Sequence, residues 1–317
     1  MREWERVKKA VNFEHPDHVP ILMFNRDFDQ SDIILTDVVR HFGGQQGNQS
    51  EFGFSWESHD QTMGQPKETI MEDLAILEEY TFPDPADPTR FADLEKAMET
   101  YKDKYHIAGL CLSGFTTMTL LHGLENTLMD VYDPDSGIEQ LADRVFAFEE
   151  DIIRQCAARK ARAIAFFDDW GTQNSLIVSP EKWREFFAPR YKSQFDLCHS
   201  LGMDVYFHCC GYIYEIIGDL IETGVDILNL SQPNIFDIPK LGAEFGGKVC
   251  FICPVSYQTT SLTGSRKDIF RDVEQLVTNF GSHGGGFIGY VEEYSSIGLS
   301  EENYQTIIEA FKTLGTY

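Results

Sequence analysis

The sequence predicts a (β/α)8 barrel, a TIM-barrel-like α/β fold with its active site at the carboxyl ends of the strands. Apolar runs of strand length recur along the 317 residues, and each is followed by a segment of helical periodicity. The runs are apolar on both faces, as in a parallel sheet that helices cover. Seven such runs occur, at residues 19–25, 106–113, 163–169, 204–210, 225–231, 248–256 and 285–291.

The eighth strand of such a barrel has no clear counterpart in the sequence. An open doubly wound sheet is the alternative fold, but no G-x-G-x-x-G follows any run, so its dinucleotide-binding form has no support. We expect a single domain over residues 1–317, in which residues 27–103 are an insertion that forms part of the active-site mouth. Trp56, His59 and Gln65 are expected to form substrate walls there, or else to pack in a small cluster of their own.

Composition narrows the class of protein. Hydrophobic residues make up 42% and charged residues 24% of the chain, as in an ordinary globular protein. The net charge of −25 opposes binding to nucleic acid and to anionic membranes. No apolar run approaches the roughly 20 residues that span a bilayer, and the N-terminal residues lack the apolar stretch of a signal peptide. We therefore expect a cytoplasmic protein, and a homodimer is compatible with the sequence.

The cysteines are expected to be reduced thiols. There are seven of them, an odd number in a long chain without an export signal. Such a chain has no disulfide framework to stabilise its fold, so each cysteine has to be interpreted from its own surroundings.

Polar residues suited to ligand binding and acid–base chemistry stand where the predicted strands end. In a barrel these positions point into the active site. They are Asn25, Arg26, Asp168, Asp169, His208, Cys210, Asn229, Gln232, Ser256, Gln258, Glu292 and Glu293.

The stretch FHCCG, residues 207–211, contains the most suggestive pair. His208 and Cys210 are two residues apart, so on a strand their side chains share a face. Zinc takes nitrogen and sulfur ligands, and a carboxylate from another strand end would supply a third. The pair also fits a buried histidine beside a packed thiol. Cys209 points the opposite way and is expected to pack behind the strand, because a reducing compartment disfavours a disulfide with Cys210.

Several stretches together resemble the uroporphyrinogen decarboxylase superfamily, and within it the branch of cobalamin-dependent methyltransferases. They are RVKKAVNFEHPDHVPI, MGQPKE followed by FPDP, FDDWGTQNSLIVSPEKWREFFAPRYK, HCCG followed by IIGDLIETGVDILNLSQP, and the closing GLSEENY. The resemblance covers nearly the whole chain and implies a distorted barrel of the uroporphyrinogen decarboxylase type.

The resemblance also implies a zinc site. In the methyltransferase branch an H-x-C pair and a later cysteine hold the ion, which activates the substrate for methyl transfer to or from a corrinoid protein. His208 and Cys210 match the pair. Counting back from Glu302 and Asn303, the position of the later cysteine falls near Glu293, and a shift of one residue would make it Glu292. The implied metal ligands are therefore His208, Cys210 and Glu293.

The implied function is methyl transfer from a small methylated substrate to a corrinoid protein, with zinc and cobalamin as cofactors. The expected substrate is an aromatic methyl ether, and the reaction is its O-demethylation. Asp169, His208 and Cys210 are the expected catalytic residues, with Asp169 moving a proton or serving as a further ligand. Five further residues are expected to orient the substrate or the corrinoid, or else to brace strand ends. They are Asn25, Arg26, Gln173, Asn229 and Gln258.

Three other functions remain open at this stage. One is a methyltransferase directed at a thiol, against which the missing third sulfur ligand counts. Another is a lyase like uroporphyrinogen decarboxylase, which would need more cations near its polyanionic substrate than Arg26 alone supplies. The last is a barrel that binds a small molecule or corrinoid without turnover.

Overall fold

The computed structural model describes residues 1–42, 49–57 and 64–316. In this part of the chain eight parallel strands close a barrel in the order β1-β10-β9-β8-β7-β6-β5-β2, and β3 pairs with β4 in a separate antiparallel sheet. The predicted barrel is therefore confirmed. The strands are β1 Ile21–Phe24, β2 Ile33–Asp37, β3 Trp56–Glu57, β4 Gln65–Pro66, β5 Tyr105–Gly109, β6 Ala163–Phe167, β7 Asp204–Cys209, β8 Ile227–Leu230, β9 Cys250–Pro254 and β10 Phe287–Glu292.

Helices surround the barrel and connect its strands. A π-helical turn, Trp183–Phe187, joins α6 to α7. Within the described ranges, no helix has the length and apolar character needed to cross a membrane. The helices are α1 Glu3–Val11, α2 Ala92–Thr100, α3 Gly114–His122, α4 Leu124–Asp130, α5 Ile138–Ala158, α6 Pro180–Lys182, α7 Ala188–Ser200, α8 Ile217–Thr223, α9 Ile238–Phe245, α10 Thr260–Thr263, α11 Arg266–Phe280 and α12 Glu301–Leu314.

The strand that sequence reasoning did not find is β2. It lies inside the segment of residues 27–103 that was interpreted as an insertion, so that interpretation is wrong for residues 33–37. The run has only three residues between its first isoleucine and its closing aspartate, and it stands in a polar stretch. It is nevertheless a barrel strand because β1 and β5 pair with it on either side.

The barrel has two apolar layers. Larger side chains fill the space between the strands and the outer helices. A second layer fills the lumen, where inward residues of the strands meet Val7 and Val11 of α1. This helix therefore closes the amino-terminal end of the barrel. The carboxyl ends of the strands form the opposite, open end, which we call the mouth.

A buried polar network ties β6 to the helices outside it. Asp168 accepts hydrogen bonds from the backbone N–H groups of Phe115 and Thr116, at 2.9 and 2.8 Å, near the start of α3. The Tyr191 hydroxyl donates to the same carboxylate. Burial raises the pKa of Asp168 to about 7. Asp168 therefore anchors a helix, which leaves its neighbour Asp169 as the aspartate available to the lumen.

Glu149 on α5 extends this network. Its carboxylate accepts hydrogen bonds from the Gly114 backbone N–H and from Gln194 Nε2, both at 2.7 Å. The side chain is fully enclosed, and burial raises its pKa to about 8. Folding at neutral pH therefore favours the protonated, uncharged form of this group.

We expect Glu149→Gln to reduce the pH dependence of stability. Between the ordinary glutamate pKa of 4.5 and about 8, the folded protein binds more protons here than the unfolded chain. The free energy of unfolding therefore falls as pH rises through this window, by up to about 1 kcal/mol per pH unit from this group. Glutamine has no proton to lose, so denaturant melts of the variant from pH 5 to 8 will lack this contribution.

The matched control is Glu139→Gln, which changes an exposed glutamate of the same helix. Its unfolding free energy should follow the parent protein at every pH. If Glu149→Gln also follows the parent, Glu149 is not held as a neutral acid in the folded state.

Candidate active site

The carboxyl ends of β6, β7 and β8 bring three residues side by side at the mouth. Phe167, His208 and Asn229 are register partners on these strands. Tyr206 belongs to the lumen layer, so His208, two residues further along β7, lies on the same inner face. Cys210 continues this row, and its Sγ lies 3.6 Å from His208 Nε2. The two side chains share a face, as their spacing predicts.

Asp169, just beyond β6, joins His208 and Cys210 in a group of three potential metal ligands. The three ligand atoms all lie within 4.8 Å of one another. Asp169 Oδ1 is 3.8 Å from His208 Nε2 and accepts a hydrogen bond from the Cys210 backbone N–H at 2.7 Å. No other group of three such ligands occurs in the described residues. Imidazole, thiolate and carboxylate are donor types that zinc takes.

Asn229 determines which nitrogen of His208 faces this group. Asn229 Nδ2 donates to the Ile252 carbonyl at 2.8 Å, so Oδ1 is directed at His208 Nδ1, 2.5 Å away. Because Oδ1 only accepts hydrogen bonds, Nδ1 must carry a hydrogen. In the neutral ring the lone pair is then on Nε2, which faces Cys210 and Asp169. This is how a second residue orients a histidine that binds a metal.

The electrostatics of the group favour a cation. Burial alone lowers the pKa of His208, but the hydrogen bond and charge of Cys210, the charge of Asp169 and the Asn229 contact outweigh burial and raise it to about 9. The surroundings therefore stabilise positive charge at this nitrogen. The same carboxylate and thiolate would stabilise a metal ion placed between the three ligand atoms.

Residues after β8 and β9 complete the surroundings of Cys210. Ser231 Oγ lies 3.1 Å from the Cys210 sulfur. Gln232 Oε1 accepts from the Gly211 backbone N–H at 3.1 Å, and its Nε2 donates to the Tyr257 hydroxyl at 3.0 Å. Sequence reasoning assigned no role to Ser231 or Tyr257, and a serine or tyrosine near a strand end is too common a feature to single them out.

The glycine of FHCCG has a steric role. Gly211 has a φ of +81°, and a Cβ built on it would lie 2.0 Å from the carbonyl oxygen of Gly171. The loops after β6 and β7 therefore touch through bare backbone. Asp169 lies two residues before Gly171, and Cys210 comes directly before Gly211. The close contact of the two glycines therefore holds Asp169 and Cys210 next to each other. A larger side chain at Gly211 would separate the two loops.

Cys209 packs behind β7, as predicted. Its side chain is buried in the layer between the strands and the helices, and its sulfur accepts a hydrogen bond from the Trp170 backbone N–H at 3.1 Å. All seven cysteines are free thiols in the structure.

The predicted third ligand, Glu293, lies outside the group of three. Its carboxylate accepts a hydrogen bond from the Ser295 backbone N–H at 3.1 Å. Glu292 continues the lumen-facing row of Tyr290 and accepts from its hydroxyl at 2.6 Å. Strand β10 is three strands away from β7, whereas β6 is adjacent to it, so the nearest carboxylate to His208 and Cys210 comes from Asp169. Coordination by Glu293 stays a prediction of the resemblance.

The five predicted substrate-orienting residues have different surroundings. Asn229 braces His208, and Gln173 Nε2 donates to Gln232 beside the site at 3.1 Å. Arg26 instead pairs with Glu301 of α12, so its charge is already neutralised. The other two are exposed or bonded elsewhere. They are Asn25, which follows β1 with a φ of +64°, and Gln258, which accepts from Asn234 at 3.0 Å.

Of the three residues expected as substrate walls, the structure describes Trp56 and Gln65. Trp56 is buried, and its ring packs edge-on against Phe42 with centroids 4.5 Å apart. Trp56 belongs to the apolar layer between the strands and the helices, so it does not pack in a small cluster of its own. Gln65 is exposed on β4, and His59 lies outside the described residues.

Asp37 is a lumen carboxylate that sequence reasoning missed. It closes β2 and alternates with Leu35, which packs on the lumen layer, so it faces inward at the mouth. Desolvation by the surrounding barrel wall raises its pKa to about 6, although part of the side chain is open to solvent. Gly109 on the neighbouring strand leaves room for it, because a Cβ there would lie 2.2 Å from Asp37 Oδ1. Recognising residues 33–37 as a strand would have identified this residue.

Aromatic rings lie beside and below the ligand group. The Phe167 ring lies 4.9 Å from the His208 ring and 6.1 Å from that of Tyr206, measured between centroids. Across the lumen Phe24 stacks on Tyr290 at 5.8 Å. A flat apolar molecule in the lumen would therefore meet ring faces and edges beneath the polar side chains of the mouth.

Fold and site together define a TIM barrel with a potential metal centre at the strand carboxyl ends. The sequence matches the family model described as uroporphyrinogen decarboxylase (URO-D) over residues 5–314, and the chain therefore belongs to that family. No curated protein sequence matches it.

Solved structures confirm the fold. A methyltransferase from Methanosarcina mazei superposes with a TM-score of 0.72 at 15% identity, covering 99% of each chain. A D-psicose 3-epimerase from Clostridium cellulolyticum H10, determined with D-tagatose, has a TM-score of 0.50 at 10% identity and covers 92% of this chain and 94% of its own. At these identities the similarity shows a shared fold alone.

Proposed function

We propose that the protein is a zinc-dependent methyltransferase that moves a methyl group from an aromatic methyl ether to a corrinoid protein. The observation that carries the proposal is a histidine–cysteine–aspartate group at the barrel mouth with the aromatic ring of Phe167 beside it. The fold shared with a methyltransferase agrees with it. The corrinoid protein, as partner, would supply the cobalamin that accepts the methyl group.

The side chains present fit zinc. His208 offers the Nε2 lone pair, Cys210 a thiolate and Asp169 a carboxylate, which leaves a coordination position for substrate. With only one sulfur among three ligands, a bound zinc would act as a Lewis acid toward an ether oxygen. A site directed at a thiol substrate has less support, because the group contains one cysteine.

The mouth provides for the rest of the substrate. The half-buried ring of Phe167, beside His208, would contact the aryl group and so direct the ether oxygen toward the ligand group. When the methyl–oxygen bond breaks, the phenolate oxygen takes up a proton. Asp37, whose pKa of about 6 leaves a protonated fraction near neutral pH, is the lumen acid suited to donate it.

The charges at the mouth argue against decarboxylation of a tetrapyrrole with many carboxylates. The lumen-facing ends of β2, β6 and β10 carry Asp37, Asp169 and Glu292. Arg26, the cation expected to meet such a substrate, is paired with Glu301. A polyanion would therefore meet several carboxylates and an arginine that is already paired.

A methyl-transfer assay tests the proposal. The purified, zinc-loaded protein is mixed with cob(I)alamin and one methyl donor, and formation of methylcobalamin is followed by absorbance. Donors are methoxylated aromatics, methylated thiols and methylamines, with uroporphyrinogen assayed separately for decarboxylation. We expect turnover of at least one methoxylated aromatic and none of uroporphyrinogen. Failure of every ether in the panel would refute the O-demethylase function.

We expect Asn229→Ala to weaken zinc binding without removing a ligand. The variant frees His208 Nδ1 and allows the ring to rotate or change tautomer, so zinc affinity should fall about 10- to 100-fold. Competition with a chelating dye measures this. Asn234→Ala, a change at an exposed asparagine that donates to Gln258, is the control and should bind zinc like the parent. Equal affinities in the two variants would show that Asn229 does not position the ligand.

A further inference from the structure

We propose a second binding site, for a small oxyanion, at the closed end of the barrel. A cavity of about 320 Å³ opens there, on the face opposite the mouth. Its position follows from its lining, which includes the first residues of β5 and β7, Tyr105 and Asp204, and the residue just before β6, Arg162. Trp4 and Lys8 of α1 form another wall.

The Arg162 guanidinium has no anionic partner among the described residues. Its contact is with the Trp4 ring, whose centroid lies 4.0 Å from its central carbon. Every other arginine in the described ranges donates to at least one oxygen acceptor. A half-buried guanidinium whose N–H groups find no acceptor in the described part of the chain is suited to bind one from outside.

The charged residues that line the cavity are mainly cations, whereas the whole protein has a net negative charge. Its lining contains Lys8, Lys160 and Arg162 but one carboxylate, Asp204, which already binds Lys8 Nζ at 2.5 Å and the Tyr105 hydroxyl. Lys160, like Arg162, forms no ion pair with a described residue. Two cations are therefore left unpaired in one cavity of a chain with a net charge of −25. An anion entering it would be attracted by both cations.

The geometry suits a phosphate or carboxylate group on a small organic body. A guanidinium binds such groups through two parallel hydrogen bonds, and an ammonium adds a point charge. The volume exceeds what one inorganic anion needs, and Tyr105, Leu201 and Ala161 add apolar surface. A bound anion would bridge α1 to the turn between α5 and β6. Because α1 closes the lumen from below, occupancy should stabilise the whole barrel.

Titration with inorganic phosphate and with phenyl phosphate, at ionic strength held constant with chloride, tests the site. Trp4 is partly exposed, whereas Trp56, Trp170 and Trp183 are buried, so a change in tryptophan fluorescence on binding reports on the cavity. We expect saturable binding and a rise in melting temperature with both probes. If phenyl phosphate binds more tightly, the apolar walls contact the organic part of the ligand. If the two probes bind equally, the site recognises the oxyanion alone.

Variants test whether the anion binds at this cavity. Arg162→Gln should abolish saturable binding, and Lys160→Asn should weaken it by about tenfold or more, since each removes a charged hydrogen-bond donor. Lys160 has a φ of +67°, which asparagine tolerates, and its side chain is exposed, so this variant will fold even if Arg162→Gln does not. Arg154→Gln, a change at an exposed arginine of α5, is the control. The proposal is overturned if neither probe binds saturably, or if Lys160→Asn binds as tightly as Arg154→Gln.

Discussion

Replacing either His208 or Cys210 by alanine will yield a folded protein that neither retains zinc nor transfers methyl groups. Each change removes one of three ligand atoms that lie within 4.8 Å of one another. Loss of a ligand should weaken zinc binding by about 100-fold or more. This is a larger loss than we expect from changing a residue that only orients a ligand. Elemental analysis after dialysis gives the metal content, and the cob(I)alamin assay gives the activity.

The chain offers matched controls for both changes. Cys209→Ala alters the same motif on the opposite side of β7, and His199→Ala removes an exposed histidine that pairs with Asp226. Both control variants should retain one zinc per chain and methyl transfer. Zinc retained at full stoichiometry in His208→Ala and Cys210→Ala would place the metal elsewhere, and the proposed mechanism would fail with it.

Asp169→Asn will cost zinc affinity and activity, whereas Glu293→Gln will leave both close to the parent values. The asparagine keeps an oxygen that can accept from the Cys210 backbone N–H, so the loops stay in place while the charge is lost. We expect zinc affinity to fall about 100-fold, since a carboxylate ligand and its charge are both removed. Glu293 accepts only a local hydrogen bond in its own loop, so its replacement leaves the three ligands intact.

The reverse outcome is equally informative. Tight zinc binding in Asp169→Asn, with loss in Glu293→Gln, would show that the position implied by the resemblance supplies the ligand. Loss in Glu292→Gln alone would shift the assignment by one residue, to the glutamate that faces the lumen beside Tyr290.

The barrel could be predicted because its strands are buried on both faces and so appear as continuous apolar runs. Strand β2 was not recognised because three apolar residues and a threonine between two aspartates form too weak a pattern, although in space β5 pairs with the whole strand and β1 with its first residue. Asp37 was missed for the same reason. The residue itself is an ordinary aspartate, and only its place at the end of an inward-facing strand gives it a role.

The site was predictable where local periodicity determines it. The two-residue repeat of a strand suffices to put His208 and Cys210 on one face. The third member depends on which strands are neighbours once the barrel closes. Asp169 follows β6, which adjoins β7, whereas Glu293 follows β10, three strands away. The contact of Gly171 with Gly211 and the role of Asn229 are likewise long-range, and no local pattern encodes them.

X-ray absorption at the zinc K-edge of the metal-loaded protein tests the central claim most directly. A site made by Cys210, His208 and Asp169 predicts one sulfur at about 2.3 Å, with the remaining ligands nitrogen or oxygen near 2.0–2.2 Å. The sulfur signal should disappear in Cys210→Ser and persist in Cys209→Ala. A zinc ion with no sulfur ligand or with two, or a spectrum unchanged in Cys210→Ser, would contradict the proposed site.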